Sequence, residues 1–366
     1  MIGKTIPINI PFPFKSLAAH IPGIMRGTYY CVTAASGAGK TQLTKFLSVT
    51  KAVEYAQKVG LDYKVLYFAL EESETEFYDS IRIHELIKRF DLNRDPNGLE
   101  INQYYLNGEY GEIHPEVLKK LDEIKPYVDE IRKYVTVIDS VNNPTGIYKY
   151  IKNFSDGRGT HYYQDVKTKE IIEEKNLEKF DEGKYIYHKY VPNNPLELIT
   201  VVIDHINILA GEKDYKDLNS AMGLLSTQYL LPKVVKRFNY AAISVHQQVM
   251  SGEGLDYVKY SMLLPSQEKL GDNKMIGRDY PIIIGLFNPV KHKQSLPGYA
   301  YDLDFFKDNL RVLNVIKHRK GKGNFEIALF FDGRAQRFAE LPSPDNVEKM
   351  KEVRKKIEEA RKIGKL

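Results

Sequence analysis

A glycine-bearing loop between a predicted strand and a predicted helix constrains this sequence most. The segment AASGAGKTQL (34–43) directly follows the apolar run TYYCVT, and a helical pattern begins at its end. Gly37 and Gly39 allow backbone N–H groups to turn inward onto phosphate oxygens with no Cβ in the way. In such a loop Lys40 supplies a positive charge for the β- and γ-phosphates, and the Thr41 hydroxyl is placed to bind Mg²⁺. The segment therefore predicts a site for ATP or another nucleoside triphosphate.

The predicted nucleotide-binding residues are those of the loop and of the first helical turn. The general pattern has glycine at the first position, where this chain has Ala34. The alternative is a glycine-containing turn that binds nothing, but the strand before the loop and the helix after it favour a phosphate site. The residues predicted to bind the nucleotide are Ala34, Ser36, Gly37, Ala38, Gly39, Lys40, Thr41 and Gln42.

Acidic residues at two predicted strand ends add the chemistry that phosphate hydrolysis needs. Asp204 ends the apolar run LITVVID and predicts a second anchor for Mg²⁺, held through water. The alternative is a carboxylate that merely ends a strand. Glu71 and Glu72 end another strand at its carboxyl edge, where a carboxylate can orient or deprotonate water. Acids at a helix N-terminus are also ordinary capping residues, so the residues of this pair leave both interpretations open.

Short apolar runs alternate with helical patterns along most of the chain. Several runs are apolar at every residue, as in a parallel sheet covered on both faces. The alternation predicts an α/β fold with a mostly parallel sheet flanked by helices. The last strands lack helical spacers, so the sheet is expected to end in an antiparallel C-terminal extension. Strands are predicted at 28–33, 63–70, 134–139, 198–204, 240–245, 280–287, 310–317 and 325–331, and helices at 40–59, 75–90, 115–133 and 217–238.

Composition excludes several other classes of protein. The chain has 366 residues, of which 43% are hydrophobic and 28% charged, and a net charge of +5 that permits an anionic partner without requiring one. The single cysteine, Cys31, excludes an intramolecular disulfide and a zinc site built on paired cysteines. No apolar run approaches the ~20 residues that span a bilayer, and the N-terminus lacks the apolar core of a signal peptide. We therefore expect no membrane partner and a cytoplasmic location, which is the host cytoplasm if the source is viral.

Composition also predicts how the chain is divided. Residues 1–27 are proline-rich and irregular and are expected to form an N-terminal arm, followed by the main α/β domain over 28–340. Within that domain, 160–193 are polar, tyrosine-rich and weakly alternating, which predicts a β-hairpin insertion. Residues 343–366 predict a basic helix, either a solvated surface helix or a contact for a membrane or a nucleic acid.

An ordered set of motifs resembles one family. The alanine-led AASGAGKT is followed by YFALEES, VVIDHINIL, SVHQQ and VIKHRKGKG. Together they resemble the ATPase domain of hexameric replicative DNA helicases of the DnaB type and their phage relatives. FKSLAAHIPGIMRGTYYCVTA resembles the family's lead-in, and KLGDNKMIGRDYPIIIGLF resembles its stretch that contacts single-stranded DNA. The resemblance covers roughly 14–340. It implies a RecA-like P-loop fold that binds ATP and Mg²⁺.

The resemblance assigns roles within one nucleotide site. It implies that Glu71 is the catalytic base for water, while Lys40, Thr41 and Asp204 keep the roles given above. His246 stands where bacterial members usually have glutamine and some phage members have histidine. It would sense the γ-phosphate and relay its loss to the DNA loop. Alternatives are a histidine that merely ends a strand, or Gln247 as the sensor.

The resemblance also assigns a basic pair to the neighbouring subunit. Lys317 and Arg319 in IKHRKGKG match the pair that reaches into the adjacent nucleotide. A guanidinium delivered in this way stabilises charge that develops on the γ-phosphate. The alternative is a basic hairpin tip that is simply solvated.

Contact with single-stranded DNA is implied in the loops that face away from the nucleotide. In a ring, the central channel follows the phosphate backbone with lysines and backbone N–H groups. Each lysine by itself is equally a surface residue, and only the position between the sensor strand and the next strand favours DNA contact. The predicted contacts are Lys259, Lys269, Gly271 and Lys274, with Lys213 and Lys216 as further candidates.

The resemblance therefore implies a homohexameric helicase that moves 5′ to 3′ on single-stranded DNA. Bacterial members carry an N-terminal helical domain and some phage members a zinc-binding primase segment, and only about 30 residues precede this P-loop. We expect no primase activity, a separate primase or loader as partner, ring assembly through residues such as 1–27 packing on a neighbour, and a compact, phage-like protein. One alternative is a RecA- or RadA-like recombinase, whose P-loop tail GKTQL matches closely. Another is an assembly protein that binds ATP without moving DNA.

Overall fold

The architecture comes from a computed structural model that describes residues 8–177, 181, 183–249, 263–270, 276–292 and 301–364. The strands are β1 Asn9–Pro11, β2 Gly23–Met25, β3 Tyr29–Ala34, β4 Tyr63–Ala69, β5 Val135–Ile138, β6 Gly159–Asp165, β7 Ile171–Glu173, β8 Tyr185–Pro192, β9 Leu198–Asp204, β10 Ala241–Gln247, β11 Ile282–Phe287, β12 Leu310–His318, β13 Phe325–Asp332 and β14 Arg337–Glu340.

The α-helices are α1 Lys15–Ala18, α2 Lys40–Lys45, α3 Lys51–Val59, α4 Glu74–Phe90, α5 Gln103–Leu106, α6 Pro115–Tyr134, α7 Pro144–Asp156, α8 Leu218–Gly223, α9 Leu303–Phe306 and α10 Val347–Lys362. Two π-helical segments, Phe46–Thr50 and Leu224–Val235, follow α2 and α8 without a break. Ser73 and Glu76 form a capping box at the start of α4.

One large sheet organises the molecule. Its nine strands have the order β14-β13-β12-β11-β3-β10-β9-β4-β5. Neighbours from β11 to β5 are parallel, whereas β11, β12, β13 and β14 pair antiparallel. The predicted mostly parallel sheet with an antiparallel C-terminal extension is confirmed. The glycine-bearing loop leaves the central strand β3 at its carboxyl end, where α/β sheets bind ligands.

Helices cover both faces of the parallel strands. On one face, Tyr30 and Val32 of β3 join a core with α2, α3, α4 and α6. On the other face, Tyr29 and Cys31 join a second core with α7 and the π-helical segment Leu224–Val235. Every residue of β3, β9 and β11 is buried, which explains why these strands are mostly apolar on both faces.

The N-terminal segment packs on its own chain. Strands β1 and β2 pair antiparallel, and Ile10, Phe14, Leu17 and Ile24 are buried in the first core. Residues 8–27 therefore pack against their own chain, and contact of residues 1–27 with a neighbour stays a prediction. Burial of their apolar side chains holds them against α2, α3 and β3 of the same protomer.

The tyrosine-rich insertion is a small sheet that follows α7, a helix the sequence analysis does not predict. Strands β6, β7 and β8 pair antiparallel in the order β7-β6-β8, so the insertion has three strands where a hairpin has two. The ring of Tyr190 lies 5.5 Å from that of Phe238, which joins the insertion to the second core. Tyr190 thus serves packing between the insertion and the rest of the domain.

The C-terminal helix α10 lies on the antiparallel half of the sheet. Met350 and Ile357 are buried beside Phe306 and Leu341, while most other residues of the helix are exposed or half-buried. Among the helices that the structure describes, none is long and apolar enough to cross a membrane.

Candidate active site

The glycine-bearing loop has the backbone of a phosphate cradle. Gly37 and Gly39 have φ of +76° and +99°, in the left-handed region that favours glycine. A Cβ on Gly37 would meet no atom within 4 Å. Glycine is therefore favoured there by the left-handed backbone conformation and not by a lack of room for a side chain. Helix α2 begins at Lys40, which points its N-terminal N–H groups at the loop. An anion held here would meet backbone donors and the positive end of the helix.

A cavity of about 400 Å³ lies over this loop and is of the size that holds a small ligand. It brings together three groups of side chains that are far apart in the sequence. The predicted residues Ala34 and Ala38 are buried behind it and do not line it. Its lining is Ser36, Gly37, Gly39, Lys40, Thr41 and Gln42 from the loop and α2, Glu71, Glu72 and Asp204 from two strand ends, and Asp308, Arg311, Phe331 and Gly333 from the antiparallel half.

Lys40 provides the positive charge in this cavity. Its side chain is largely buried, and its ammonium makes no hydrogen bond or ion pair within the part of the chain that the structure describes. An ammonium that lines a cavity and lacks a protein partner is placed to bind an anion there. Phosphate oxygens in the cavity would supply the missing partner, so the site fits a polyphosphate.

Thr41 and Asp204 form an oxygen pair of the kind that Mg²⁺ prefers. The Thr41 hydroxyl donates to Asp204 Oδ1 at 3.2 Å, and the Tyr67 hydroxyl donates to Oδ2 at 2.5 Å. Burial raises the pKa of Asp204, while the bond from Tyr67 and the charges of Lys45 and Lys40 oppose that rise. A hydroxyl and a carboxylate at the phosphate cradle fit a hard cation that bridges protein and phosphate.

The two adjacent glutamates have different surroundings. The Lys45 ammonium donates to Glu72 Oε2 at 2.7 Å and to Ser80 Oγ at 2.9 Å, and Lys45 is buried. Burial raises the pKa of Glu72, and Lys45 acts against this rise. Glu71 is exposed and has no such anchor. Glu72 is therefore held by Lys45 of α2, whereas the Glu71 carboxylate has no such ion pair and is available to act on water.

His205 is the ionisable partner that the structure gives Glu71. Its Nδ1 lies 3.7 Å from Glu71 Oε2, and its Nε2 is buried without a hydrogen-bond partner in the described structure. Burial and the charge of Lys40 lower the pKa of His205 to about 4, against a smaller opposing effect of Glu71. The imidazole is therefore neutral at neutral pH.

The predicted sensor, His246, lies behind the cavity rather than in its lining. It pairs in register with Thr33, just before the loop, and its Nε2 lies 2.7 Å from the Tyr280 hydroxyl. Burial, with a smaller effect of His205, lowers the pKa of His246 to about 3. Gln247, the alternative sensor, does not line the cavity either, and its N–H donates to Asn207 at 2.9 Å.

An arginine that the sequence analysis does not single out supports the loop from β12. Arg311 is 1% exposed, and its Nε donates to the Ala38 carbonyl at 2.8 Å. Its other nitrogens donate to the Asp308 carbonyl at 2.6 Å and to Asp308 Oδ1 at 3.3 Å. The guanidinium lies 4.8 Å from the centre of the Phe331 ring. These contacts fix the loop before any ligand binds.

The predicted basic pair, Lys317 and Arg319, lies at the opposite end of the strands from the glycine-bearing loop. The Lys317 ammonium donates to the Gly277 carbonyl at 2.7 Å, and the Arg319 guanidinium donates to the Arg278 carbonyl. Burial, together with the charge of Arg319, lowers the pKa of Lys317. Neither residue lines the cavity of its own protomer.

The predicted DNA contacts have mixed positions. Lys213 and Lys216 are exposed, whereas Lys269 is 4% exposed and its ammonium donates to the Leu264 carbonyl at 3.0 Å. A DNA contact at Lys269 would require the ammonium to leave this bond. Lys259, Gly271 and Lys274 lie outside the described residues.

Several residues of the site are missed by sequence reasoning, among them Tyr67, Lys45, His205 and Arg311. His205 directly follows Asp204, and Lys45 lies about one and a half turns beyond Lys40 on a buried face, so spacing offers a signal for these two. Arg311 and Tyr67 come from other strands, and only the register of the sheet brings them to the loop and to Asp204.

Comparison with known proteins agrees with this architecture. No model of a known protein family matches the sequence, and no curated protein matches it. The structure is similar to a DnaB-like replicative helicase, solved in a study that also describes its interactions with primase, at 15% identity and a TM-score of 0.61. That match covers 92% of this chain and 64% of the helicase, so the chain spans less than two thirds of that protein.

A second solved structure, that of a separate ATPase domain, is similar over nearly its whole length. The identity is again 15%, the TM-score is 0.62, and the match covers 93% of this chain and 94% of that domain. The chain has the RecA-like fold of DnaB-type ATPase domains, which confirms the fold that the motifs predict.

Proposed function

We propose that this chain is an ATP-driven helicase that assembles as a homohexamer and moves 5′ to 3′ along single-stranded DNA. The proposal is supported by a cavity that fits a triphosphate with Mg²⁺ and by the fold that the chain shares with DnaB-type ATPase domains. The similar DnaB-like helicase is described with its interactions with primase, so a separate primase or loader is a proposed partner.

The proposal depends most on β12, because its two ends lie at opposite ends of the parallel strands. Arg311, near the start of β12, contacts the P-loop. Arg319 directly follows the end of the strand, where its N–H donates to the Pro281 carbonyl. Ile282 is aligned with both His318 and Tyr30, which places this end level with the start of β3. The length of β3, about 17 Å, therefore separates the basic tip from its own P-loop. If the tip serves nucleotide chemistry, it serves the nucleotide of an adjacent protomer.

Hydrolysis would be divided between one protomer and the basic tip of the next. Lys40 would hold the β- and γ-phosphates, and Thr41 and Asp204 would hold Mg²⁺, which neutralises phosphate charge when bound. Glu71 would orient the attacking water and accept its proton. Arg319 of the adjacent protomer would stabilise the charge that develops on the γ-phosphate.

DNA would lie along loops that connect the strands of this sheet. Lys213 and Lys216 follow the strand that ends at Asp204, and both are exposed. We propose them as phosphate contacts together with Lys259, Gly271 and Lys274. Contacts of this kind give strong salt dependence and little sequence preference.

Unwinding of a forked duplex that carries a 5′ single-stranded tail tests the proposed function. The wild type is expected to separate the strands only with ATP and Mg²⁺, and Lys40→Ala is expected to abolish separation. Electron micrographs with ATP and single-stranded DNA should show six-fold rings. A filament that coats the strand, with strand exchange in place of unwinding, would instead identify a recombinase. ATP turnover by a protein that does not bind DNA would instead favour the alternative of an assembly protein.

Mixed assemblies test the division between protomers. Arg319→Ala subunits keep an intact P-loop, and Lys40→Ala subunits keep an intact basic tip. Turnover is expected to be low for either variant alone and to recover in mixtures, with a maximum near equal proportions. Turnover that stays low at every ratio would contradict completion of the site in trans.

A further inference from the structure

A chain of buried hydroxyl groups begins at His246 and crosses the second core. The Tyr280 hydroxyl lies 2.7 Å from His246 Nε2 and 3.4 Å from the Tyr29 hydroxyl. Tyr29 in turn lies 2.8 Å from Ser244 Oγ and 3.2 Å from Ser226 Oγ. Tyr280, Tyr29 and both serines are essentially inaccessible to solvent. The chain therefore connects protein groups with one another rather than with water.

The same chain reaches the short segment that contains Tyr280. Ser226 and Thr227 both donate to Asp279 Oδ2, at 3.2 and 2.7 Å. Asp279 precedes Tyr280 and lines a second cavity together with Arg319. One run of residues, 276–281, thus contributes both the hydroxyl that contacts His246 and the carboxylate that accepts from the π-helical segment Leu224–Val235.

Backbone carbonyls of this run also hold the basic tip. Gly277 and Arg278 accept from the side chains of Lys317 and Arg319, and Pro281 accepts from the Arg319 N–H at 2.9 Å. The carbonyls of Arg278 and Pro281 therefore hold Arg319, and the Gly277 carbonyl holds Lys317. A movement of Tyr280 would be passed to these carbonyls through the covalent backbone.

The bond between Tyr280 and His246 is the contact that a movement of His246 would disturb. Its bond to His246 is short, whereas its separation from the Tyr29 hydroxyl, at 3.4 Å, is longer than usual for a hydrogen bond between two hydroxyls. His246 Nδ1 is buried without a partner in the described structure. A buried donor or acceptor without a partner is costly, so a shift of His246 that satisfies Nδ1 would compete with its bond to Tyr280.

We propose that Tyr280 is a positioning residue that couples His246, behind one nucleotide site, to the backbone that holds Lys317 and Arg319. This inference rests on the proposed function, because it needs the basic tip to serve the adjacent protomer. Nucleotide bound in one protomer would then set the position of that protomer's Arg319. Because Arg319 serves the site of the adjacent protomer, the sites of a ring would act in order.

Tyr280→Phe removes the hydroxyl and keeps the ring, whose centre lies 4.4 Å from that of Tyr29. Loss of one buried hydrogen bond is expected to lower kcat about fivefold to tenfold with KM for ATP unchanged, because the P-loop cavity is not touched. Tyr63→Phe is the matched control, since Tyr63 is equally buried and its hydroxyl donates to the Ser48 carbonyl at 2.7 Å, away from this chain of groups. An equal fall of kcat in Tyr63→Phe, or no fall in Tyr280→Phe, would overturn the proposal.

Mixtures with Glu71→Gln subunits, which should bind nucleotide without hydrolysing it, separate this inference from the proposed function. Tyr280→Phe subunits keep an intact P-loop and Glu71, and Glu71→Gln neighbours supply a basic tip held by an intact Tyr280. Recovery of turnover in Tyr280→Phe mixtures, parallel to that in Arg319→Ala mixtures, is the expected result. If only the Arg319→Ala mixtures recover, Tyr280 acts within its own site and the inference fails while the proposed function stands. If neither mixture recovers, completion in trans fails and the inference fails with it.

Discussion

The Tyr67 hydroxyl and the Thr41 hydroxyl donate to opposite oxygens of one carboxylate, that of Asp204. Tyr67→Phe removes one donor and is expected to raise the pKa of Asp204 further and to loosen its orientation. Loss of such a supporting bond typically weakens metal binding about tenfold or more. The Mg²⁺ concentration for half-maximal ATP turnover should rise accordingly, with little change at saturating Mg²⁺.

Tyr78→Phe is a matched control for this change. The Tyr78 hydroxyl donates to the Val135 carbonyl at 3.1 Å, in the same core but away from Asp204. An unchanged Mg²⁺ requirement in Tyr67→Phe, or the same rise in both variants, would show that the tyrosine does not support a metal ligand.

Substitutions of the two glutamates that follow β4 are expected to have different effects, one on turnover and the other on stability. Glu71→Gln keeps the shape of the site but removes the base, so turnover should fall about 10²- to 10⁴-fold while nucleotide binding persists. Glu72→Gln leaves the buried Lys45 ammonium without its carboxylate, and breaking a buried pair costs about 3–5 kcal/mol of unfolding free energy.

Single-turnover hydrolysis and urea unfolding, measured on both variants, check this contrast. Glu71→Gln should unfold as the wild type does, because its side chain is exposed. If Glu72→Gln instead showed the larger loss of chemistry with normal stability, the roles of Glu71 and Glu72 would be reversed.

Much of the fold follows from the sequence, because its signals are local. The P-loop, the buried strands and the cap at Ser73 are each determined within a few residues, and strand ends at one edge of a parallel sheet place Asp204 near Lys40. The supporting contacts are different. Arg311 meets Ala38 only because β12 runs antiparallel to β11 in a particular register. The insertion also gains a third strand, which the weak alternation of its residues does not specify.

Arg311 is expected to set nucleotide affinity by fixing the P-loop in advance. Arg311→Lys keeps the charge but replaces the guanidinium, which donates to both Ala38 and Asp308, with a single ammonium. Loss of one charged hydrogen bond to the loop should weaken binding of ATP about tenfold, measured with a fluorescent nucleotide at equilibrium. Arg354→Lys on α10, where Arg354 pairs with Asp302, is the control. If Arg311→Lys and Arg354→Lys bound ATP with equal affinity, Arg311 would contribute to packing but not to nucleotide binding.

His246 is expected to make stability depend on pH in the mildly acidic range. Burial lowers its pKa from 6.5 to about 3, so the folded protein keeps His246 neutral where the unfolded chain takes up a proton. The stability that the neutral imidazole allows is therefore complete above about pH 6.5 and is lost as the pH falls toward 3. Each pH unit within this window should cost about 1.4 kcal/mol through this one group.

Urea unfolding of the wild type and of His246→Gln between pH 7 and about pH 4 measures this contribution, because the carboxylates contribute to both proteins alike. His188→Gln, at an exposed position of the insertion, should keep the wild-type dependence of unfolding free energy on pH. Equal dependence in the wild type and His246→Gln would mean that the imidazole is hydrated or moves outward as the pH falls. Such a movement would remove the tight contact with Tyr280 in acid, because that contact needs the ring to stay in the core.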